Sequence, residues 1–232
     1  MHQKSSRNGC RPCNPRGAAA PLRHNDLATA HTVHWRPWRS RSTAGFVPRP
    51  NWFFAFPIDG AFVLDLPEPP PSIRRYHAED VHLTLAFLGG VGEAGAERAL
   101  AALDRELGVA TPAALEVSLA EVVAMGSRQK YSALSALLAR GRKETSDCIT
   151  ALRDALTEAA SGRREKRAAK PHVTIARPRS RAKPEDRDAG LRWAAGLDLS
   201  AVSARLDRIA LYTWSEVRRE RLFRIVAERR LR

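Results

Sequence analysis

Two five-residue stretches carry the side chains best suited to chemistry. His82-Leu83-Thr84-Leu85-Ala86 and His172-Val173-Thr174-Ile175-Ala176 both read His, aliphatic, Thr, aliphatic, Ala. In a β-strand successive side chains point to opposite faces. Strict alternation predicts His82, Thr84 and Ala86 on one face, with Leu83, Leu85 and Phe87 behind them. It likewise puts His172, Thr174 and Ala176 together, backed by Val173 and Ile175. Each strand then presents one imidazole and one hydroxyl about 6.6 Å apart. Two such strands facing one cavity suit a phosphodiester. One imidazole takes a proton, the other gives one, and two hydroxyls hold phosphate oxygens. Unperturbed His titrates at about pH 6.5, so a neutral and a protonated imidazole can coexist near neutrality. A lone His beside a Thr is ordinarily a structural histidine hydrogen-bonded in a core. Between residues 48 and 232 there are only three His, and two of them share this pattern. His77 has no such context and reads as a surface residue.

The elements that must hold these strands follow from periodicity and punctuation. Trp52 to Phe56 is a short apolar strand closed by Pro57 and Asp59-Gly60. Residues 61–66 start a helix or strand that the prolines from Pro67 to Pro71 end. Gly89-Gly90 stops the first His strand. Leu100, Leu103 and Leu107 recur at helix spacing from Glu93 onward. Leu115–Met125 and Lys130–Leu138 read as strands about a Gly126-Ser127 turn. Ser146 or Asp147 can cap a helix running to Ala160, with Ile149, Leu152 and Leu156 on its core face. Pro184 to Trp193 is a short helix, and Leu206–Trp214 with Arg221–Val226 closes the chain as a strand pair. The His strands lie outside any βαβ alternation, so the expected class is α+β with antiparallel sheets.

Composition bounds the rest. The chain has 232 residues and a net charge of +14, which favours anionic partners, nucleic acid first. Residues 1–50 hold nine Lys and Arg against one acid, so +8 lies there and +6 in the remainder. Residues 1–47 read as a basic, disordered extension, and 48–232 as the folded domain. Within the extension, Trp35-Arg36-Pro37-Trp38-Arg39 interleaves aromatic and basic residues as nucleic-acid contacts do. Cys10 and Cys13 form a lone C-x-x-C without a second pair at zinc-finger spacing. Cys148 reads as a buried thiol. Three Cys fit a reducing, cytoplasmic setting, and no apolar run approaches a membrane span. No carboxylate cluster has metal-ligand spacing and no Walker-type loop is present, so neither metal nor other cofactor is expected.

The pair of His-x-Thr-x motifs resembles the signature of the 2H phosphoesterase superfamily. Within it the chain is most similar to the RNA 2′,3′-cyclic phosphodiesterases, also called 2′-5′ RNA ligases (LigT-like). Phe53-Phe54-Ala55, His82 to Gly89, Pro171 to Arg177 and Ile209 to Tyr212 carry the resemblance. The loop at Gly126-Ser127-Arg128 lacks the family's Phe-Pro-rich stretch, and the hairpin Glu216 to Arg221 lacks a Gly. The resemblance implies two similar lobes of antiparallel sheet plus helices around a central cleft. It implies that His82 is the proton donor to the leaving 3′ oxygen and His172 the proton acceptor for water. Thr84 and Thr174 would bind phosphate, and Arg177, directly after the second motif, could neutralise it. Phe54 or Phe56 could stack a base, although core packing explains both. The basic run Arg163, Arg164, Lys166, Arg167 and Lys170 reads equally as a solvated loop or as phosphate contacts. The implied partner is RNA ending in a 2′,3′-cyclic phosphate, such as tRNA fragments or short oligonucleotides, bound by a monomer away from any membrane. Two alternatives stay open at this point: ATP-independent 2′-5′ joining of RNA ends, and a non-catalytic RNA-binding protein.

Overall fold

Nine strands and three helices build the described part of the chain, residues 49–232 of a computed structural model. The basic extension, the Cys10/Cys13 pair and the Trp35–Arg39 patch lie outside the described residues. In chain order the strands are β1 (Trp52–Pro57), β2 (Ile73–Arg75), β3 (His82–Gly89), β4 (Leu115–Met125), β5 (Ala133–Arg140), β6 (His172–Pro178), β7 (Ser203–Leu206), β8 (Arg208–Trp214) and β9 (Phe223–Arg230). The helices are α1 (Gly92–Val109), α2 (Arg142–Ala159) and α3 (Pro184–Ala195). Single 3₁₀ turns span Ala61–Leu64 and Ala78–Asp80.

All strands are antiparallel and share one curled sheet in the order β7-β4-β5-β6-β3-β1-β8-β9, with β2 also on β6. The fold is α+β. Two four-stranded halves, β9-β8-β1-β3 and β7-β4-β5-β6, meet where Leu83 pairs with Val173. The halves match in detail. Pro57, Phe56 and Ala55 of β1 pair with His82, Leu83 and Thr84, as Leu137, Ala136 and Ser135 of β5 pair with His172, Val173 and Thr174.

Both motif strands then bulge at the same place. Ala55 faces Thr84 but Phe54 faces Ala86, and Ser135 faces Thr174 but Leu134 faces Ala176. One extra residue, Leu85 or Ile175, sits in each His strand, and an extra residue reverses the alternation beyond it. Strict alternation therefore fails after the Thr. Ala86 and Ala176 turn to the apolar back, at 1% and 0% exposure. Phe87 pairs with Phe53 and so shares the His82 face, where it is 58% exposed. Arg177 takes the equivalent place in the other half.

The back of the sheet holds the core. Phe54 and Phe56 alternate away from the cleft and are fully buried with Leu83 and Leu85, so neither is placed to stack a base. α2 covers β3 with Ile149, Leu152 and Leu156. α1 packs on α2 through Ala96, Ala99, Ala102 and Leu103, a narrower stripe than the leucine spacing suggests, because small residues allow close approach. α2 starts four residues before the expected Ser146. Gly141 turns the chain at φ 74°, and its carbonyl accepts from Thr145 N and Oγ1. Cys148 is only half-buried, and desolvation still pushes its thiol up to about 11.

Candidate active site

The register at the seam decides how the motif residues meet. An antiparallel pair at Leu83 and Val173 sets position 82 across from 174 and position 84 across from 172. Each imidazole thus lies crosswise beside the hydroxyl of the other motif. The structure brings His82, His172, Thr84 and Thr174 to this seam.

Both imidazoles are anchored in the same way. The Nδ1 of His82 lies 2.7 Å from the Asp80 carbonyl, and that of His172 lies 2.7 Å from the Lys170 carbonyl. A carbonyl oxygen can only accept, so each Nδ1 donates. In the neutral ring Nε2 is then left as the free acceptor. Thr174 Oγ1 lies 3.1 Å from the buried Ser135 Oγ. Ala55 occupies the matching place beside Thr84.

The two halves differ in their aromatic content. The His82 ring is 4.9 Å from Phe53, 5.4 Å from Tyr212 and 5.5 Å from Phe223. Phe53 stacks on Tyr212 at 5.0 Å, nearly parallel. This enclosure desolvates His82 and drives its pKa down to about 4, against the opposing pull of the Asp80 carbonyl. Arg177 and His172 lower it further. His172 is more open. Burial lowers its pKa too, the Lys170 carbonyl opposes this, and the charges of Lys170 and Arg177 add to the lowering. Arg177 therefore lies within electrostatic reach of both imidazoles.

The aromatic enclosure was not foreseen from the sequence, although Phe53 alternates with Ala55 and Pro57 on a strand next to His82. Two further residues were also missed. Tyr76 is 5% exposed under the Arg177 guanidinium, 5.4 Å from its ring centre, and burial pushes its phenol up to about 12. Asp80 is 1% exposed, and its carboxylate accepts from the backbone N–H of Leu222 at 2.8 Å and of Phe223 at 3.0 Å. It ties the β8–β9 loop to the start of β3.

Other residues lie away from the seam. His77 is exposed, and its Nδ1 accepts from Glu79 N. In the basic run, Arg164 pairs with Asp154 and Arg167 with Glu165, which neutralises two of its cations. Among the described residues no helix is long and apolar enough to cross a membrane.

A model of the 2′-5′ RNA ligase superfamily matches residues 69–218, which includes both motif strands. The chain belongs to the 2′-5′ RNA ligase superfamily, the 2H phosphoesterases. Its fold is that of LigT-like members. It is similar to TT0787 of Thermus thermophilus, with a TM-score of 0.60 and 18% identity over 78% of this chain and 98% of that one. It is also similar to E. coli LigT complexed with 3′-AMP, with a TM-score of 0.58 and 19% identity over 78% and 97%. No curated protein matches the chain by sequence. The superfamily acts on phosphodiester bonds and in RNA-end processing.

Proposed function

We propose that this 2H phosphoesterase hydrolyses RNA 2′,3′-cyclic phosphate ends to 2′-phosphomonoesters. One observation carries the reading: two imidazoles, each with Nδ1 tied to a carbonyl, flank one seam crosswise with two Thr hydroxyls. Ring opening by water needs a base, an acid and donors for the charge that builds on the phosphoryl oxygens. His172 Nε2 takes a proton from water as the oxygen attacks phosphorus. His82 Nε2 gives a proton to the leaving ribose 3′ oxygen as the P–O3′ bond breaks. The proton gained by His172 and that lost by His82 balance through solvent before the next turnover. Thr84 and Thr174 donate to the non-bridging oxygens, and the Arg177 guanidinium offsets their negative charge.

The donor needs a proton on an imidazole that is neutral in the free protein at pH 7. The phosphate anion supplies the missing counter-charge. Seated between the rings, it opposes the Arg177 repulsion and favours imidazolium. Phe87, exposed on the same face, offers an apolar ring to the terminal base.

Substitution tests the assignment. His82→Ala and His172→Ala are each expected to lower kcat on a cyclic-phosphate-ended oligonucleotide by about 10²–10⁴-fold, the range of a positioned acid or base. Far-UV circular dichroism should stay native. A native rate in either variant would remove that His from the mechanism.

A further inference from the structure

We infer that the arginine-lined groove beside Tyr76 and Phe223 is a second phosphate subsite. It takes the backbone phosphodiester on the 5′ side of the terminal nucleoside. The inference rests on the reading above for the identity of that strand, but the groove stands on its own geometry.

The groove has a volume of about 490 Å³, and its walls include Arg74, Arg177, Arg179, Arg181 and Arg218. Among the described residues no acidic side chain lines it. None of these five guanidinium groups forms an ion pair with a carboxylate of the described residues. Carboxylates do pair with cations close by, as Glu68 does with Arg75 and Glu79 with Arg221. Five uncompensated cations around one hollow repel one another, and an anion between them relieves that repulsion.

Several of the guanidinium groups are held in place. Arg74 Nη2 donates to the Arg219 carbonyl and Arg179 Nε to the Pro71 carbonyl, while Arg218 lies 4.1 Å over the Trp214 ring. Tyr76 forms part of the floor, with the Arg177 guanidinium 5.4 Å from its ring centre.

The groove also joins the reacting centre. Phe223 forms one wall and packs edge-on to His82. Arg177 lies on the cleft face and in the groove. A cyclic phosphate occupies the 3′ terminus of a strand, so every other phosphate lies on its 5′ side. The next one is the group that a neighbouring guanidinium cluster can reach, and Arg forks suit its oxygens. Such a subsite favours oligonucleotide ends over mononucleotides.

Calorimetry with adenosine 2′-monophosphate and adenosine 2′,5′-bisphosphate tests this without any turnover. The 5′-phosphate is expected to tighten binding by about tenfold or more, as charge-assisted hydrogen bonds do. The combined Arg179→Ala, Arg181→Ala and Arg218→Ala variant should lose that gain. The combined Arg140→Ala, Arg142→Ala and Lys143→Ala variant removes the same charge from another surface and should keep it. Equal affinities in the native protein, or equal loss in both variants, would overturn the subsite. An adenylyl dinucleotide ending in 2′-phosphate should show the same gain, and a gain confined to the 5′-monoester would overturn the backbone assignment. If the 5′-phosphate gain appears while no cyclic phosphate is hydrolysed, the subsite stands and the hydrolase reading fails.

Discussion

At the residue scale the two histidines are related by the fold but not by their surroundings. His82 sits among Phe53, Tyr212 and Phe223, whereas His172 is only half-buried. Both pKa values fall below the ordinary value, His82 to about 4. The sign of the pH effect follows. The proposed hydrolysis needs one imidazole protonated and one neutral, and kcat/KM reports the free protein. Its bell should therefore centre below about pH 6.5, the unperturbed value. On the alkaline side the protonated donor is depleted, and kcat/KM should fall about tenfold per pH unit. A bell centred above pH 7 would mean that the aromatic enclosure does not set the donor. Stability carries the same signature. The unfolded chain binds the His82 proton more readily, so stability holds above about pH 6.5 and declines as pH falls toward 4.

At the scale of elements, the paired bulges and the Asp80 clamp do the positioning. Asp80 spends both carboxylate oxygens on the backbone of Leu222 and Phe223, and its own carbonyl holds His82. Asp80→Ala leaves the part-buried Leu222 N–H and the buried Phe223 N–H without their acceptor, the buried one at about 1–3 kcal/mol. The melting temperature should fall by about 2–4 °C for each kcal/mol lost. Turnover should fall as well, since Phe223 no longer braces the His82 ring. A variant with native melting and native kcat would show that the clamp is idle. The His-x-Thr spacing was legible because period-two alternation holds up to the Thr. Beyond it, strict alternation puts Phe87 and Arg177 on the apolar back and not on the face of the histidines, since nothing in a run of apolar residues marks where a strand gains one. The register marks it: Leu85 and Ile175 are the extra residues. The three-residue β2 and four-residue β7 were too short to carry a period. The aromatic enclosure of His82 joins β1, β3, β8 and β9, which are far apart in sequence.

At the scale of the molecule, two matched half-sheets place one motif each at a shared seam, and the charge is not spread evenly around it. Most ion pairs of the described residues are exposed and contribute little to stability. Five cations without an ion pair among the described residues line the groove next to His82. On the proposed reading this arrangement directs a polyanionic strand toward the seam, in keeping with a superfamily whose members act on RNA. The proposed hydrolysis turns on which bond is broken. The most direct measurement is phosphorus NMR of the product formed from a 2′,3′-cyclic-phosphate-ended oligonucleotide, with a chelator present. The expected product is a 2′-phosphomonoester, formed by the native protein and not by His82→Ala or His172→Ala. A 3′-phosphate would contradict the assignment of the leaving oxygen, and unchanged substrate would contradict the hydrolase itself.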